Sequence, residues 1–284
     1  MWLMIGCGAL VTLGLILIIR WGDYDVRESR SPVTATEATP ELRHVLKRYL
    51  WYVTLSVVAG MGSGILMAGA GGRLVMRLLA ATSSEAAQGR VTEADEIVGR
   101  ISADGTIGFI IFVGLVFGLA IGVFYVLIAR WLPKGRLGGV VFGALLLVWF
   151  GSTLDPLRPD NPDFDIVGPG WVSVSTFSVL MVAHGMLVAA VTGRYSHMLP
   201  LWSNEFKAMA TYAPLLLVVP VFPLAVPLVL GAPVAIVLSR IAALRSGLSS
   251  RRALLLGRFI GVAASVVALP VFLIAVVDIA SRNS

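Results

Sequence analysis

Seven apolar stretches, at 2–19, 50–72, 107–129, 137–150, 173–192, 211–238 and 253–277, take up most of this chain. Only 173–192 carries an acidic, basic or histidine side chain near its middle, His184; Arg258 lies near one end of 253–277. A helix needs about 20 predominantly apolar residues to cross roughly 30 Å of hydrocarbon. Lipid offers the backbone no hydrogen-bond partner, so a spanning segment of this kind must satisfy its amides internally, as a helix does. The expected fold is therefore all-α, a polytopic transmembrane helical bundle forming one membrane domain over 1–284. Composition removes the main alternative. Only 13% of the residues are charged, against about a quarter in soluble domains, too few to cover a water-soluble helical protein of 284 residues.

The segments differ in how cleanly they read. Residues 2–19 lack a preceding basic region and are followed by Arg20, so they read as a retained span rather than a signal peptide. Cys7, the single cysteine, lies inside that run and excludes an intrachain disulfide. The stretch 137–150 is short and would need tilt to cross. In 253–277, Arg258 sits near the start, where its stem can reach the interface. Residues 211–238 contain Pro214, Pro220, Pro223, Pro227 and Pro233, which interrupt the helical ladder repeatedly. Two readings stay open: seven segments with one Pro-kinked crossing, or six full spans plus a re-entrant or Pro-broken segment.

Basic residues set the orientation. The linker 20–49 holds Arg20, Arg27, Arg30, Arg43, Lys47 and Arg48, and the turn 130–136 holds Arg130, Lys134 and Arg136. Loop 151–172 is acidic, and loop 82–106 joins it on the outer face. The positive-inside rule places the linker in the cytoplasm and the N-terminus outside, in a bacterial cytoplasmic membrane. A single crossing by 211–238 would leave Arg240, Arg245, Arg251 and Arg252 outside; a re-entrant segment keeps them inside.

Glycines spaced by four mark packing faces: Gly60 and Gly64, then Gly114, Gly118 and Gly122, then Gly139 and Gly143. Such faces let helix backbones approach closely, within the chain or against a second subunit. Arg73 and Arg77 share one helix face at the end of a helix expected to run to about Ala81. They read as anchors paired with acids of the following loop (Glu85, Glu93, Asp95, Glu96, Asp104), or as a lipid or anion contact. Thr92 with Asp95 suggests a short interfacial helix with an incomplete capping box. Trp51, Tyr52, Trp131, Trp171 and Trp202 read as interfacial aromatics. Asp155, Asp160, Asp163 and Asp165 are weak metal candidates, because intervening prolines fit turn formation better than a calcium loop. His184 reads as a buried polar residue bonded to a neighbouring helix. No catalytic set, no metal-ligand spacing and no cofactor motif is visible, and the basic residues flank membrane segments rather than form a nucleic-acid surface.

The run Gly71–Gly72–Arg73–Leu74–Val75–Met76–Arg77, followed by Asp104–Gly105–Thr106–Ile107–Gly108–Phe109 and the glycine-lined helix, resembles a group of uncharacterised multi-span membrane proteins of actinobacterial-type genomes. The likeness covers residues 58–125 and implies membrane location and helical fold, with no activity attached. The leading functional reading is a non-catalytic subunit or scaffold that packs against membrane helices, its own copies or lipids. The alternative is a small-solute or ion transporter, or a lipid-handling protein, using 211–238 and His184. A membrane enzyme is weaker still.

Overall fold

The structure, a computed structural model, describes residues 2–27, 41–203, 205–216, 218, 225–240 and 251–282. Arg30, Pro220, Pro223 and Arg245 lie outside them. The chain is helical, with no strand among the described residues. Its elements are α1 (Trp2–Trp21), α2 (Leu42–Thr82), α3 (Ala103–Trp131), α4 (Arg136–Phe150), α5 (Gly170–Met198), α6 (Phe206–Ala210), α7 (Ala225–Arg240) and α8 (Arg251–Ala280).

Helices α1, α2, α3, α5 and α8 are long and apolar enough to cross a membrane, while α4 and α7 are apolar but shorter. Five of the seven expected segments thus reach spanning length. The 15 residues of α4 rise about 22 Å. The stretch 211–238 is not a single α-helix: among its described residues 213–216 form a 3-10 turn and α7 takes up 225–238. Pro227 falls in the first turn of α7, where a missing N–H costs no intrahelical bond, and Pro233 lies inside the helix. Helix α2 is much longer than its apolar core. Its 41 residues rise about 60 Å, so the end bearing Arg73 and Arg77 extends well past residue 72.

Glycine organises the bundle into two tight pairs. In the first, a Cβ on Gly64 of α2 would lie 1.9 Å from the Gly114 carbonyl oxygen of α3, and one on Gly60 would lie 2.3 Å from that of Gly118. In the second, a Cβ on Gly143 of α4 would lie 2.6 Å from Cα of Val182, and one on Gly139 would lie 2.8 Å from Cα of Met186. Only residues without a side chain permit such backbone contact. Both helices of the first pair widen into π-helix where they meet, at Gly64–Gly69 and Ile110–Phe117. The glycine faces are occupied within the chain.

Hydrogen bonds tie the helix ends into two groups. At one end Arg136 pairs with Asp23 at 3.0 Å, the Gly135 N–H donates to Asp25 at 2.7 Å, and Arg258 Nε donates to the Trp131 carbonyl at 3.2 Å. His197, near the end of α5, is bonded to the Asp25 carbonyl at 3.0 Å. At the other end Thr82 donates to the Gly168 carbonyl at 3.1 Å, and Arg282 pairs with Asp165 at 3.2 Å and with Asp278 at 2.6 Å. The segment from the end of α5 to the start of α8 therefore leaves and returns at the same end. Its described part packs on α2 and α3 through Val218 and Leu228, beside Val57, Met61 and Leu119, and the Tyr49 hydroxyl donates to the Leu228 carbonyl.

Two local expectations need correction. Residues 92–96 form a tight turn, not a helix: the Thr92 N–H donates to the Glu96 carbonyl at 2.9 Å, Val91 bridges Ile97, and Asp95 takes φ of 57°. An aspartate tolerates that left-handed conformation, which a helix excludes. Trp51 is not an interfacial anchor. It is only 2% exposed, and its Nε1 donates to the Leu199 carbonyl at 3.0 Å.

Candidate functional site

The two glycine pairs converge on the side of the α3–α4 turn, where Phe142 stacks on Tyr125 at 4.9 Å and on Phe124 at 5.9 Å. Toward the loops 83–102 and 151–169 they leave a cavity of about 870 Å³ between them. Its walls are mostly apolar, with Phe109, Phe112 and Phe117 from α3, Phe150 from α4, and Phe177 and Leu180 from α5, and Glu93, Glu96, Asp155 and Asp163 of the two loops also line it. Phe112 is 60% exposed and Phe117 41% exposed, so this wall is reachable sideways from the surrounding medium.

Arg73, Arg77 and His184 all line this one cavity. Arg73 is 8% exposed although it is charged. Gly72 makes room for it: a Cβ there would lie 2.9 Å from the Phe109 ring. That ring therefore sits against the helix, and the Arg73 guanidinium lies 5.9 Å from its centroid. Nη2 of Arg73 donates to Thr106 Oγ1 at 3.2 Å, and the Thr106 hydroxyl donates its own proton to the Ser102 carbonyl at 2.7 Å. Thr106 is thus held as an acceptor. Arg77, one turn further out and exposed, donates from Nη1 to the Gly99 carbonyl at 3.1 Å.

The expected ion pairs with the following loop are absent. Among the described residues, neither guanidinium has a carboxylate within 4.0 Å. Two of the loop acids are engaged elsewhere. Glu93 pairs with Arg158 at 2.5 Å, its N–H donates to Asp163 at 2.8 Å, and Glu96 accepts from Ser102 at 3.3 Å. A guanidinium has five donors and a permanent charge; Arg73 uses one of those donors on a neutral hydroxyl. Burying a charge without a counter-charge is costly, and aromatic and hydroxyl contacts offset that only in part.

His184 is 1% exposed. Its Nε2 lies 3.2 Å from Ser63 Oγ, and that hydroxyl is bonded to the Ala59 carbonyl at 2.5 Å. With the Ser63 proton directed to Ala59, Nε2 is the donor to Ser63, and Nδ1 then carries the lone pair. Nδ1 has no hydrogen-bond partner among the described residues.

No family model matches the chain, and no match was found among the curated proteins or the solved structures.

The acids of loop 151–172 do not gather into a metal site. Asp160 pairs with Arg158 at 3.5 Å and Asp165 with Arg282, and no group of three metal-ligating side chains converges among the described residues. None of the described residues of 211–238 lines the cavity that His184 lines. Thr106, Phe109 and Phe112 were missed as site residues. The Gly105–Thr106 step carried a local signal, since a Cβ on Gly105 would meet the Glu96 carboxylate at 1.6 Å.

Proposed function

We propose that this is a lipid-handling integral membrane protein whose cavity holds an amphiphile with an anionic head, a phosphate or a carboxylate. The carrying observation is Arg73: an almost fully buried cation with no carboxylate partner, at the polar end of a large apolar cavity. Arg73 and Arg77, four residues apart on one helix, would receive the head. The phenylalanines would receive the chain, and the exposed Phe112–Phe117 wall would admit it from the bilayer. The volume lies near the top of the usual range for small-molecule sites. Internal use of the glycine faces removes the main support for a subunit or scaffold role.

The membrane arrangement that best accompanies this site has six crossings, α1 to α5 and α8, with the α6–α7 region entering and returning on one side. The basic end, with Arg20, Arg130, Lys134, Arg136 and Arg251, would face the cytoplasm of a bacterial cell, and the cavity loops would face outward.

The test uses the full chain in nanodiscs of phosphatidylcholine doped with phosphatidylglycerol or with a long-chain fatty acid. Bound lipid is read by native mass spectrometry. A charge-assisted hydrogen bond contributes about 1.5–3 kcal/mol, so Arg73→Gln should weaken retention about 10- to 150-fold. Which dopant is retained separates a phospholipid head from a free carboxylate. Equal retention by wild type, Arg73→Gln and Arg77→Gln would sink the proposal.

A further inference from the structure

Resting on that reading, we propose that the ligand carries a second polar group, a hydroxyl or carbonyl on its chain, and that His184 binds it at membrane depth. The two polar points stand apart along the cavity. Ser63, the partner of His184, precedes Arg73 by ten residues on α2, roughly 15 Å of helical rise. Everything between them on the cavity wall is apolar, including Ala68, Phe117 and Leu180. A head seated at Arg73 therefore places the middle of a long chain, not its glycerol or ester region, beside the imidazole.

The geometry of the imidazole favours a ligand role over simple helix packing. One ring nitrogen is enough to link α5 to α2, and Nε2 does that through Ser63. The other, Nδ1, has no partner among the described residues although His184 lines the cavity and is buried. An acceptor on the wall of an apolar cavity finds no donor in a plain methylene chain, whereas a chain hydroxyl would donate to Nδ1. Sites that hydrogen-bond a ligand hydroxyl discriminate against the analogue lacking it for this reason. Ser63 reinforces the choice by holding the ring through Nε2, so that Nδ1 is presented as an acceptor.

The experiment compares stearate with 12-hydroxystearate as ligands for the full chain in phosphatidylcholine nanodiscs, by competition against a fluorescent fatty acid. The wild-type protein is expected to prefer the hydroxylated chain several-fold. His184→Phe should erase the preference while still binding stearate, and His184→Asn, which keeps a polar group, should retain part of it. Arg73→Gln should weaken both ligands equally. If wild type binds the two chains alike while Arg73→Gln weakens both, the chain-polar subsite is wrong and the anionic-head reading stands. If wild type binds neither chain, or Arg73→Gln changes neither affinity, both fall. Because the decisive comparison is made on the wild-type protein, a poorly folding His184 variant does not remove the test.

Discussion

The contact between α2 and α3 makes a sharp demand on Gly64, and Gly62 two residues earlier makes none. An alanine methyl at Gly64 would lie 1.9 Å from the Gly114 carbonyl oxygen and 2.9 Å from Cα of Gly118, whereas nothing lies within 4 Å of one at Gly62. Ordinary contact begins at 3.4 Å, so the helices must separate by about 1.5 Å, the difference 3.4 − 1.9. Both obstructing atoms are backbone and cannot swing aside. Overpacking of this kind costs about 1–3 kcal/mol, while glycine to alanine inside a helix gains up to about 1 kcal/mol. The helix gain is common to both positions, so Gly64→Ala should unfold about 1–3 kcal/mol more easily than Gly62→Ala. The separation would also carry Thr106 Oγ1, now 3.2 Å from Arg73, beyond hydrogen-bond reach. Equilibrium unfolding in mixed micelles, followed by tryptophan fluorescence, measures the first effect, and anionic-lipid retention measures the second. Should the two alanine variants unfold within about 0.5 kcal/mol of each other, the close-contact account of this pair is wrong.

Two further outcomes follow from the loops. With Cys7, which is buried, replaced by alanine, single cysteines at Gln88 and Ser281 should label from one side of sealed vesicles and one at Lys134 from the other. Labelling of Ser281 and Lys134 from the same side would contradict the Arg282 tie to the Asp165 loop. Partial desolvation pushes the Asp163 carboxyl above its ordinary value, with the Glu93 N–H bond opposing. Asp155, reachable from the cavity but hemmed in by protein, is raised by desolvation first, with Glu93, Asp160 and Asp163 adding and Arg158 opposing. A raised carboxyl disfavours its ionised form in the folded protein, so its destabilising effect is present above the folded pKa and is relieved as pH falls through it. Retention of phosphatidylglycerol, whose phosphate stays charged, should thus rise as pH falls and these raised carboxyls take up protons, at a pH above that at which an ordinary aspartate does so. A combined Asp155→Asn, Asp163→Asn variant should show no such rise, and an unchanged slope in that variant would exclude these two carboxyls as the cause.

Hydropathy revealed the spans because membrane length and backbone satisfaction act on composition alone, and α1, α3, α5 and α8 cover the apolar stretches read from sequence. The apolar run stops at residue 72, yet the placing of Arg73 and Arg77 on one helix face carried the reading on to about Ala81, and α2 ends at Thr82. Loop partners were beyond reach. Charge proximity along the chain offered Arg73 and Arg77 the five acids of the following loop, yet one of them, Glu93, meets Arg158 from a loop 65 residues away. The site itself was seen only in pieces. Arg73 and His184 stand 111 residues apart, and whether they share a space depends on how far the two glycine pairs diverge. No periodicity in either segment encodes that angle.

The paired π segments have a consequence best put as helical phase. Each residue advances an α-helix by about 100°, and a wide turn accommodates extra residues without advancing the helix as far. Gly64–Gly69 lies between Ser63, which holds His184, and Arg73, which faces Thr106. The azimuth of the guanidinium relative to the imidazole is therefore set by the winding of six residues. Tightening that stretch to regular α-helix would turn the outer end of α2 as a rigid shaft and carry Arg73 off the cavity wall while leaving the inner end in place. The same chemistry could thus be addressed or hidden by rewinding, with no side chain changed.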